Sequence, residues 1–265
     1  MLGAIVGDIA GSVYEWGNVK TTEFQLFSRA CTFTDDSVMT IAVAHAMLDA
    51  FDGENLSQPK LVDIMQSYGR MYPNAGYGGR FYQWIANPHP KPYNSYGNGS
   101  AMRVSPVAWV SDDLDTVERL AAATAEVTHN HPEGVKGAQA TASSILLARQ
   151  GADNSVIRSY IEERYGYDLS FTIDEIRPAY TFDVSCQGSV PQAIVAFLES
   201  TSFENALRLA ISLGGDSDTI AAICCSIAQA RYGIPAPLAK EAASRLTPHL
   251  RSAAETFCTR FNVPE

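Results

Sequence analysis

The chain has 265 residues, of which 46% are hydrophobic and only 18% charged, and it carries a formal net charge of −10. This composition is typical of a well-buried globular protein and excludes a disordered chain. The acidic balance argues against nucleic acid or an anionic membrane as the main partner, because binding to either usually needs a basic face. One hydrophobic core can still be filled by a chain of this length, so we predict a single domain over residues 1–265.

The first segment, GAIVGDIAG, predicts a helix and not a dinucleotide-binding turn. Its glycines, Gly3, Gly7 and Gly11, recur every four residues and do not match the G-x-G-x-x-G pattern of a phosphate-binding strand–helix turn. This spacing places them on one helix face, where a second backbone can approach closely. Asp8 and Glu15 are seven residues apart and would share a face of the same helix. We expect at least one of these carboxylates to face a polar group.

Neither a signal peptide nor a membrane span is predicted. Asp8 interrupts the N-terminal apolar run, which has no basic flank, and no apolar stretch approaches spanning length. The cysteines are odd in number, and Cys224 and Cys225 are adjacent, so no disulfide framework is indicated. We therefore expect a cytoplasmic protein whose cysteines are buried and reduced.

Helical periodicity dominates the rest of the chain, and alternation of period two is scarce, so the sequence predicts an all-α fold. Residues 73–99 and 165–187 are instead rich in glycine, proline, asparagine and aromatic residues, and loops of this length are often functional. The predicted helices span residues 35–51, 59–72, 101–110, 113–127, 132–149, 153–164, 188–199, 203–213, 217–231, 236–246 and 249–260.

Two of these helices begin with a cluster of carboxylates and hydroxyls. The motif TDDS spans residues 34–37, and the motif GGDSDT spans residues 214–219. Each motif alone is equally consistent with helix capping, in which side-chain oxygens accept the free N–H groups of the first turn. Both following segments, however, are apolar around nearly the whole helix. This pattern predicts central helices whose N-termini are buried or line a cleft.

Buried carboxylates at two N-termini that meet would need a counter-charge, and few basic residues lie nearby in the sequence. A divalent cation is the simplest solution. Carboxylates and threonine hydroxyls, without clustered thiolate or imidazole, favour Mg²⁺, Mn²⁺ or Ca²⁺ over Zn²⁺. Four carboxylates exceed what one Mg²⁺ normally takes, so we predict a binuclear site. The carboxylates of Asp35, Asp36, Asp216 and Asp218 should then lie within about 6 Å of a shared point.

Two further motifs are compatible with a phosphorylated ligand. YGNGSAMR, residues 96–103, is a glycine turn whose free N–H groups can hold an anion, although a plain loop with Ser100 as helix N-cap is equally consistent. THNHPE, residues 128–133, precedes a helix whose first residue should be Pro132. His131 can simply cap that helix, and a histidine beside a phosphate is the functional alternative if these motifs share one cleft.

Taken in chain order, six motifs resemble those of the ADP-ribosylglycohydrolases, a family that includes the enzyme that removes ADP-ribose from dinitrogen reductase. The motifs are GDIAGSVYE, TDDS, SYGNGSAMR, THNHP, SVPQAIVAFLES and GGDSDT. The resemblance extends from about residue 2 to residue 233. It implies a single-domain orthogonal helical bundle with a metal-containing cleft, in which two Mg²⁺ or Mn²⁺ ions lie at the bottom.

The resemblance also implies roles for individual residues. Glu15 matches a glutamate near the metals that has a catalytic or gating part. His129 matches a histidine that contacts the diphosphate, and the loop that wraps the diphosphate corresponds to Ser95, Tyr96, Gly97, Asn98 and Gly99. The implied metal ligands are Thr34, Asp35, Asp36, Asp216, Asp218 and Thr219. Ser37 departs from the family pattern, where threonine is commoner, and this leaves the ligands intact.

The implied reaction is hydrolysis at C1 of the distal ribose of an ADP-ribosylated protein or an ADP-ribose-containing small molecule, with Asp35 or Glu15 managing the proton. The leaving group stays open among arginine, serine, a nucleobase and a free small molecule, and we expect residues 72–93 to decide it. Two alternatives also stay open. A metal-dependent nucleotide phosphohydrolase would release phosphate, and a non-catalytic ADP-ribose-binding member would bind without turnover; the intact aspartates argue against the latter.

Overall fold

Helices account for nearly all the regular structure in residues 1–264, the part of the chain that this computed structural model describes. The only β-structure in that part is two isolated bridges, between Phe51 and Leu56 and between Gly97 and Ser185. The all-α prediction is therefore confirmed. The helices are α1 (Leu2–Gly11), α2 (Asp35–Asp49), α3 (Gln58–Met71), α4 (Gly79–Ala86), α5 (Gly99–Met102), a 3₁₀ helix (Ser105–Trp109), α6 (Leu114–Glu126), α7 (Pro132–Arg149), α8 (Asn154–Tyr165), α9 (Ile173–Ile176), α10 (Cys186–Glu199), α11 (Phe203–Ser212), α12 (Ser217–Tyr232), α13 (Ala236–Arg245) and α14 (Pro248–Phe261).

One predicted helix is wrong. The segment 101–110 is not continuous, because α5 ends at Met102 and a separate 3₁₀ helix begins at Ser105. Pro106 explains the break, since its ring disfavours the α conformation for the residue before it and it has no N–H for a helical hydrogen bond. Two short helices were also missed inside the predicted loops, namely α4 and α9. Both are too short to show a clear helical period in sequence.

The antiparallel pair α1 and α12 forms the centre of the molecule. A Cβ added to Gly3 or Gly7 would overlap the carbonyl oxygen of Cys225 or Ala221, and one added to Gly11 would overlap the backbone of Asp218. The predicted close packing of the glycine face is thus confirmed. Because the pair is antiparallel, the C-terminal end of α1 lies beside the N-terminal end of α12, where the GGDSDT motif begins.

The predicted common helix face for Asp8 and Glu15 is wrong. Helix α1 ends at Gly11, and the N–H of Tyr14 donates to the Gly11 carbonyl in a tight turn, so Glu15 lies beyond the helix. Asp8 is fully buried, whereas Glu15 is partly exposed.

The cysteine prediction is largely confirmed. Cys31, Cys186, Cys224 and Cys225 are buried free thiols, whereas Cys258 is only partly buried. None of the described helices combines the length and the apolar character that crossing a membrane would require.

Candidate active-site cleft

A cleft of about 440 Å³ opens where α2 and α12 begin, a volume within the range of small-molecule sites. It brings together the two acidic motifs, the glycine turn and the histidine motif, which are far apart in sequence. Its lining residues are Glu15, Thr34, Asp35, Asp36, Ala75, Gly76, Gly78, Gly79, Arg80, Phe81, Tyr93, Ser95, Gly97, Asn98, Gly99, Met102, Arg103, His129, Phe182, Val184, Asp216, Asp218 and Thr219.

The floor of the cleft is acidic. One oxygen from each of Asp8, Asp36 and Asp218 lies within 4.8 Å of the other two, and the same holds for Glu15, Asp216 and Asp218. Asp218, in α12, is therefore shared by two clusters of carboxylates. The first cluster includes Asp8 of α1 and Asp36 of α2, and the second includes Glu15, which lies beyond α1, and Asp216, the residue before α12. All of these carboxylates are buried except that of Glu15. Asp35 also lines the cleft but belongs to neither tight group.

Asp8 orders the turn that carries the TDDS motif. Its carboxylate accepts the Thr34 N–H at 3.0 Å, the Thr34 hydroxyl at 2.6 Å and the Ser37 N–H at 3.0 Å, and it also accepts the Ser37 hydroxyl. These bonds fix the N-terminus of α2 against α1. Sequence reasoning expected a polar contact for Asp8 or Glu15 but did not assign Asp8 to the site, because its partners lie more than twenty residues away.

Helix capping explains only part of this arrangement. The Thr34 hydroxyl accepts the Asp36 N–H at 3.3 Å, as an N-cap does. Asp216 occupies the N-cap position of α12, yet its side chain makes no capping hydrogen bond and instead accepts from Asn98. The Oδ1 atom of Asp36 is buried and has no hydrogen-bond partner in the described residues. The carboxylates are therefore available to a ligand beyond the protein's own N–H groups.

The electrostatics of the floor favour a bound cation. Burial, together with the neighbouring Asp8 and Asp216, raises the pKa of Asp35 to about 8. Burial and carboxylate repulsion also raise the pKa of Asp36 and Asp218 well above the ordinary value. A divalent cation would relieve this repulsion and satisfy the unpaired Asp36 oxygen. The residues present thus fit an oxygen-ligated metal site.

The glycine turn forms one wall of the cleft and is held by the second long loop. The Asn98 N–H donates to the Val184 carbonyl at 2.8 Å, and the Cys186 N–H donates to the Tyr96 carbonyl at 2.9 Å. The Ser100 hydroxyl donates to the carbonyl of Gly134 at 2.6 Å, so its predicted alternative role as N-cap is wrong. Because α5 has only four residues, its dipole is a small contribution to this wall.

His129 lies behind the glycine turn. It is 5% exposed, and a Cβ added to Gly99 would lie 3.2 Å from its Nε2 atom. Burial, followed by the charges of Arg103 and Arg80, holds the pKa of His129 well below its usual range, so the imidazole is neutral. His131 is not in the cleft, because its Nδ1 accepts the Glu133 N–H at 3.1 Å and caps α7, whose first residue is Pro132 as predicted.

The cleft contains most, but not all, of the predicted binding residues. Ser95, Gly97, Asn98 and Gly99 line it, whereas Tyr96 is 53% exposed outside it, with its ring 5.4 Å from that of His131. Sequence reasoning missed five lining residues whose side chains are cationic or aromatic: Arg80, Phe81, Tyr93, Arg103 and Phe182. Arg103 belongs to the SAMR end of the glycine motif, and this signal was present in the sequence.

Comparison with known proteins identifies the family of this chain. The model of the ADP-ribosylglycohydrolase family matches residues 1–264, and the chain belongs to that family. The ADP-ribosylhydrolase ARH3 of Mus musculus is 26% identical, and the alignment covers 88% of this chain and 83% of that protein. The ADP-ribosylarginine hydrolase Tri1 of Pseudomonas putida (strain GB-1) is also 26% identical, over 88% of this chain and 70% of that protein.

A solved structure described as an ADP-ribosylglycohydrolase-related protein complex has the same fold. Its TM-score is 0.70 at 23% identity, and the match covers 97% of this chain and 95% of that chain. The predicted family and fold class are thereby confirmed. Family membership and the names of the relatives make this chain a glycohydrolase.

Proposed function

We propose that this protein hydrolyses the bond between C1 of the distal ribose and the attached group in ADP-ribosylated substrates, and that it needs divalent cations to do so. One observation carries the proposal: a single cleft places an acidic, oxygen-rich floor next to a wall of glycines, His129 and two arginines. ADP-ribose has matching parts, since its hydroxyl-bearing ribose suits a cation-binding floor and its diphosphate suits the wall.

The residues that would hold the cations come from both acidic motifs. They are Thr34, Asp35, Asp36, Asp216, Asp218 and Thr219, to which the geometry adds Glu15 as a neighbour of Asp216 and Asp218. Two ions, Mg²⁺ or Mn²⁺, suit this number of hard oxygen donors. Bound there, they would supply Lewis-acid polarisation of water and of the ribose hydroxyls.

The chain's own residues account for the remaining chemistry. In the reaction, the oxygen of water bonds to C1, the bond from C1 to the leaving group breaks, and a proton reaches the leaving group. Asp35 or Glu15 would accept the proton of water and pass it to the leaving group, because both carboxylates line the cleft beside the proposed cation site. The anionic floor would stabilise the positive charge that develops on the ribose ring.

The wall formed by the glycine turn, His129 and the two arginines would position the diphosphate. The backbone N–H groups of Gly97 and Asn98 are already bonded to the Ser95 hydroxyl and the Val184 carbonyl. The positive charge of Arg80 and Arg103 and the Nε2 side of His129, which line the cleft, would therefore hold the diphosphate, and the glycines would leave room for it. Binding energy from the diphosphate would thus hold C1 over the acidic floor.

The floor and the wall of the cleft would contact the ribose and the diphosphate but not the leaving group. We propose that the leaving group is a protein side chain or a small molecule. We propose that residues 72–93 select the leaving group, because several residues of this segment line the cleft: Ala75, Gly76, Gly78, Gly79, Arg80, Phe81 and Tyr93.

The test is to incubate the protein with ADP-ribosyl-arginine and ADP-ribosyl-serine proteins in parallel, with Mg²⁺, Mn²⁺ or EDTA, and to identify the product by mass spectrometry. Free ADP-ribose that appears only with a divalent cation supports the proposal. Release of inorganic phosphate or AMP would indicate a nucleotide phosphohydrolase instead. Tight ADP-ribose binding without any product would indicate a non-catalytic binding protein.

A further inference from the structure

Arg103 is a buried cation without a carboxylate partner in residues 1–264. Its side chain is only 1% exposed, yet the described ion pairs do not include it. Burial lowers the pKa of its guanidinium to about 10, so it stays charged at neutral pH. A charge buried in this way is costly unless it has a role or a ligand.

The contacts of Arg103 lead to His129. Its Nη2 atom donates to the carbonyl of Thr124 at 3.0 Å and to the hydroxyl oxygen of Thr128 at 2.8 Å. The Thr128 hydroxyl in turn lies 2.7 Å from Nδ1 of His129. These three side chains form a linear chain of hydrogen bonds from the buried guanidinium to the imidazole ring.

The direction of the hydrogen bonds fixes the tautomer of His129. Because the Thr128 oxygen accepts from Arg103, its single hydrogen is available either to Nδ1 of His129 at 2.7 Å or to the Ala125 carbonyl at 3.4 Å. With a hydrogen on Nδ1, the Thr128 oxygen would accept from the ring, and its own hydrogen could go only to the Ala125 carbonyl at 3.4 Å. That carbonyl already accepts the backbone N–H groups of Thr128 at 3.1 Å and His129 at 2.7 Å, so donation of the hydroxyl hydrogen to Nδ1 is favoured. Nδ1 of the neutral ring is then an acceptor, so the ring hydrogen resides on Nε2.

The Nε2 atom faces the cleft side of the glycine turn. A Cβ added to Gly99 or Gly97 would lie 3.2 Å or 3.6 Å from it, and the absence of side chains there leaves room for a ligand. With the opposite tautomer, an unprotonated nitrogen would present its lone pair to an anion and repel it.

We infer that Arg103 and Thr128 are positioning residues that hold His129 as a neutral Nε2–H donor toward the anionic group of the substrate. The inference rests on the proposed function for the identity of that anion, a diphosphate. It assigns two buried residues a task that neither the acidic floor nor the glycine turn performs. Arg103 also contributes its charge directly to the wall that the anion would contact.

The decisive measurement is the tautomeric state of His129 in the metal-free protein. Long-range ¹H–¹⁵N spectra of protein labelled at histidine distinguish a protonated from an unprotonated ring nitrogen, and the His129→Gln variant identifies the signal. We expect a protonated Nε2 and an unprotonated Nδ1 in the wild type at neutral pH. A protonated Nδ1 would overturn the inference whatever the catalytic activity of the protein.

Three variants extend the measurement to ligand binding. Thr128→Val keeps the shape of the side chain but loses the hydroxyl, so the tautomer preference should disappear and ADP-ribose should bind about tenfold more weakly. Thr128→Ser keeps the hydroxyl and should retain both properties. Thr124→Val is the matched control, because this buried threonine lies one turn earlier and its hydroxyl donates to the Ala121 carbonyl at 2.8 Å.

The outcomes separate this inference from the proposed function. The positioning role would be refuted if Thr128→Val kept both the Nε2–H tautomer of His129 and the wild-type affinity for ADP-ribose. It would also be refuted if Thr128→Ser lost the preference for the Nε2–H tautomer. The Thr128→Ser and wild-type spectra decide the matter even if Thr128→Val does not fold. Wild-type protein that shows the expected tautomer but binds no ADP-ribose would instead refute the proposed function, and leave the hydrogen-bond chain itself supported.

Discussion

Asn98 donates one amide hydrogen to Asp216 Oδ2 at 2.6 Å and the other to the Ser189 hydroxyl at 2.9 Å. The Asn98 side chain therefore links the glycine turn directly to Asp216 in the acidic floor. This link holds the wall and the floor of the cleft at a fixed distance from each other. Asn98 is buried, and neither of its amide hydrogens is left for solvent.

Replacing Asn98 by Ala should therefore weaken the binding of both Mn²⁺ and ADP-ribose. Removing a buried hydrogen bond to a charged acceptor costs about 1–3 kcal/mol, and the glycine turn would lose its attachment at the same time. Calorimetric titration of both ligands measures the effect. Ser189→Ala, which leaves the bond to Asp216 in place, is the control; equal losses in both variants would show that the link to Asp216 has no special importance.

Replacing Asp218 by Ala should abolish cation binding and hydrolysis together. Asp218 takes part in both carboxylate groups of the floor, so its loss removes a ligand from each. The variant should still fold, because less carboxylate repulsion partly offsets the missing cation. Titration with Mn²⁺ and a product assay test this, with Asp63→Ala on the exposed face of α3 as control. Wild-type Mn²⁺ affinity in Asp218→Ala would mean that the ligands are elsewhere.

Replacing His129 by Ala should weaken ADP-ribose binding by roughly 1–3 kcal/mol and leave Mn²⁺ binding intact. The reason is that His129 faces the glycine turn and not the carboxylates. His131→Ala is the matched control, since His131 caps α7 outside the cleft and its loss should cost only about 1 kcal/mol of stability. Loss of Mn²⁺ binding in His129→Ala would contradict this division of roles.

The metal-free protein should become less stable as the pH rises from about 4 to 8. Asp35 has a pKa raised to about 8 by burial and by Asp8 and Asp216, whereas an aspartate in the unfolded chain titrates near 4. In this window the folded state holds protons that the unfolded state has released, so the free energy of unfolding falls with pH.

Thermal unfolding in EDTA at several pH values tests this expectation. The stabilisation by added Mn²⁺ should increase over the same window, because the cation binds deprotonated carboxylates. Asp36→Asn removes one of the repelling carboxylates and should flatten the pH dependence in EDTA. A melting temperature that rises with pH in EDTA and is insensitive to this substitution would show that the floor carboxylates are ionised without a metal.

Replacing Gly7 by Ala should destabilise the protein by about 1–3 kcal/mol or more, since the added Cβ would overlap the Ala221 carbonyl and force α1 away from α12. Chemical denaturation measures the free energy of unfolding. Gly79→Ala, at the first position of α4 with open space around it, is the control and should be neutral or slightly stabilising. Similar losses in both variants would show that the close helix contact contributes little.

The sequence was sufficient for the parts of this protein that depend on local patterns. The helical period gave ten of the eleven predicted helices to within two residues at each end, and Pro106 broke the eleventh. The glycine spacing of α1 indicated its close packing, and His131 with Pro132 indicated the start of α7. Such features are decided within one or two turns of chain, where residue type and spacing act directly.

Only the tertiary structure decided how these motifs combine. The antiparallel contact of α1 with α12 and the four hydrogen bonds of Asp8 bring three helix ends to one point, so that carboxylates more than 180 residues apart share a site. The same packing buries Arg103 beside Thr128 and excludes Tyr96 from the cleft. A side chain's burial and charge environment depend on neighbours that are distant in sequence, and no local pattern records which of them will meet.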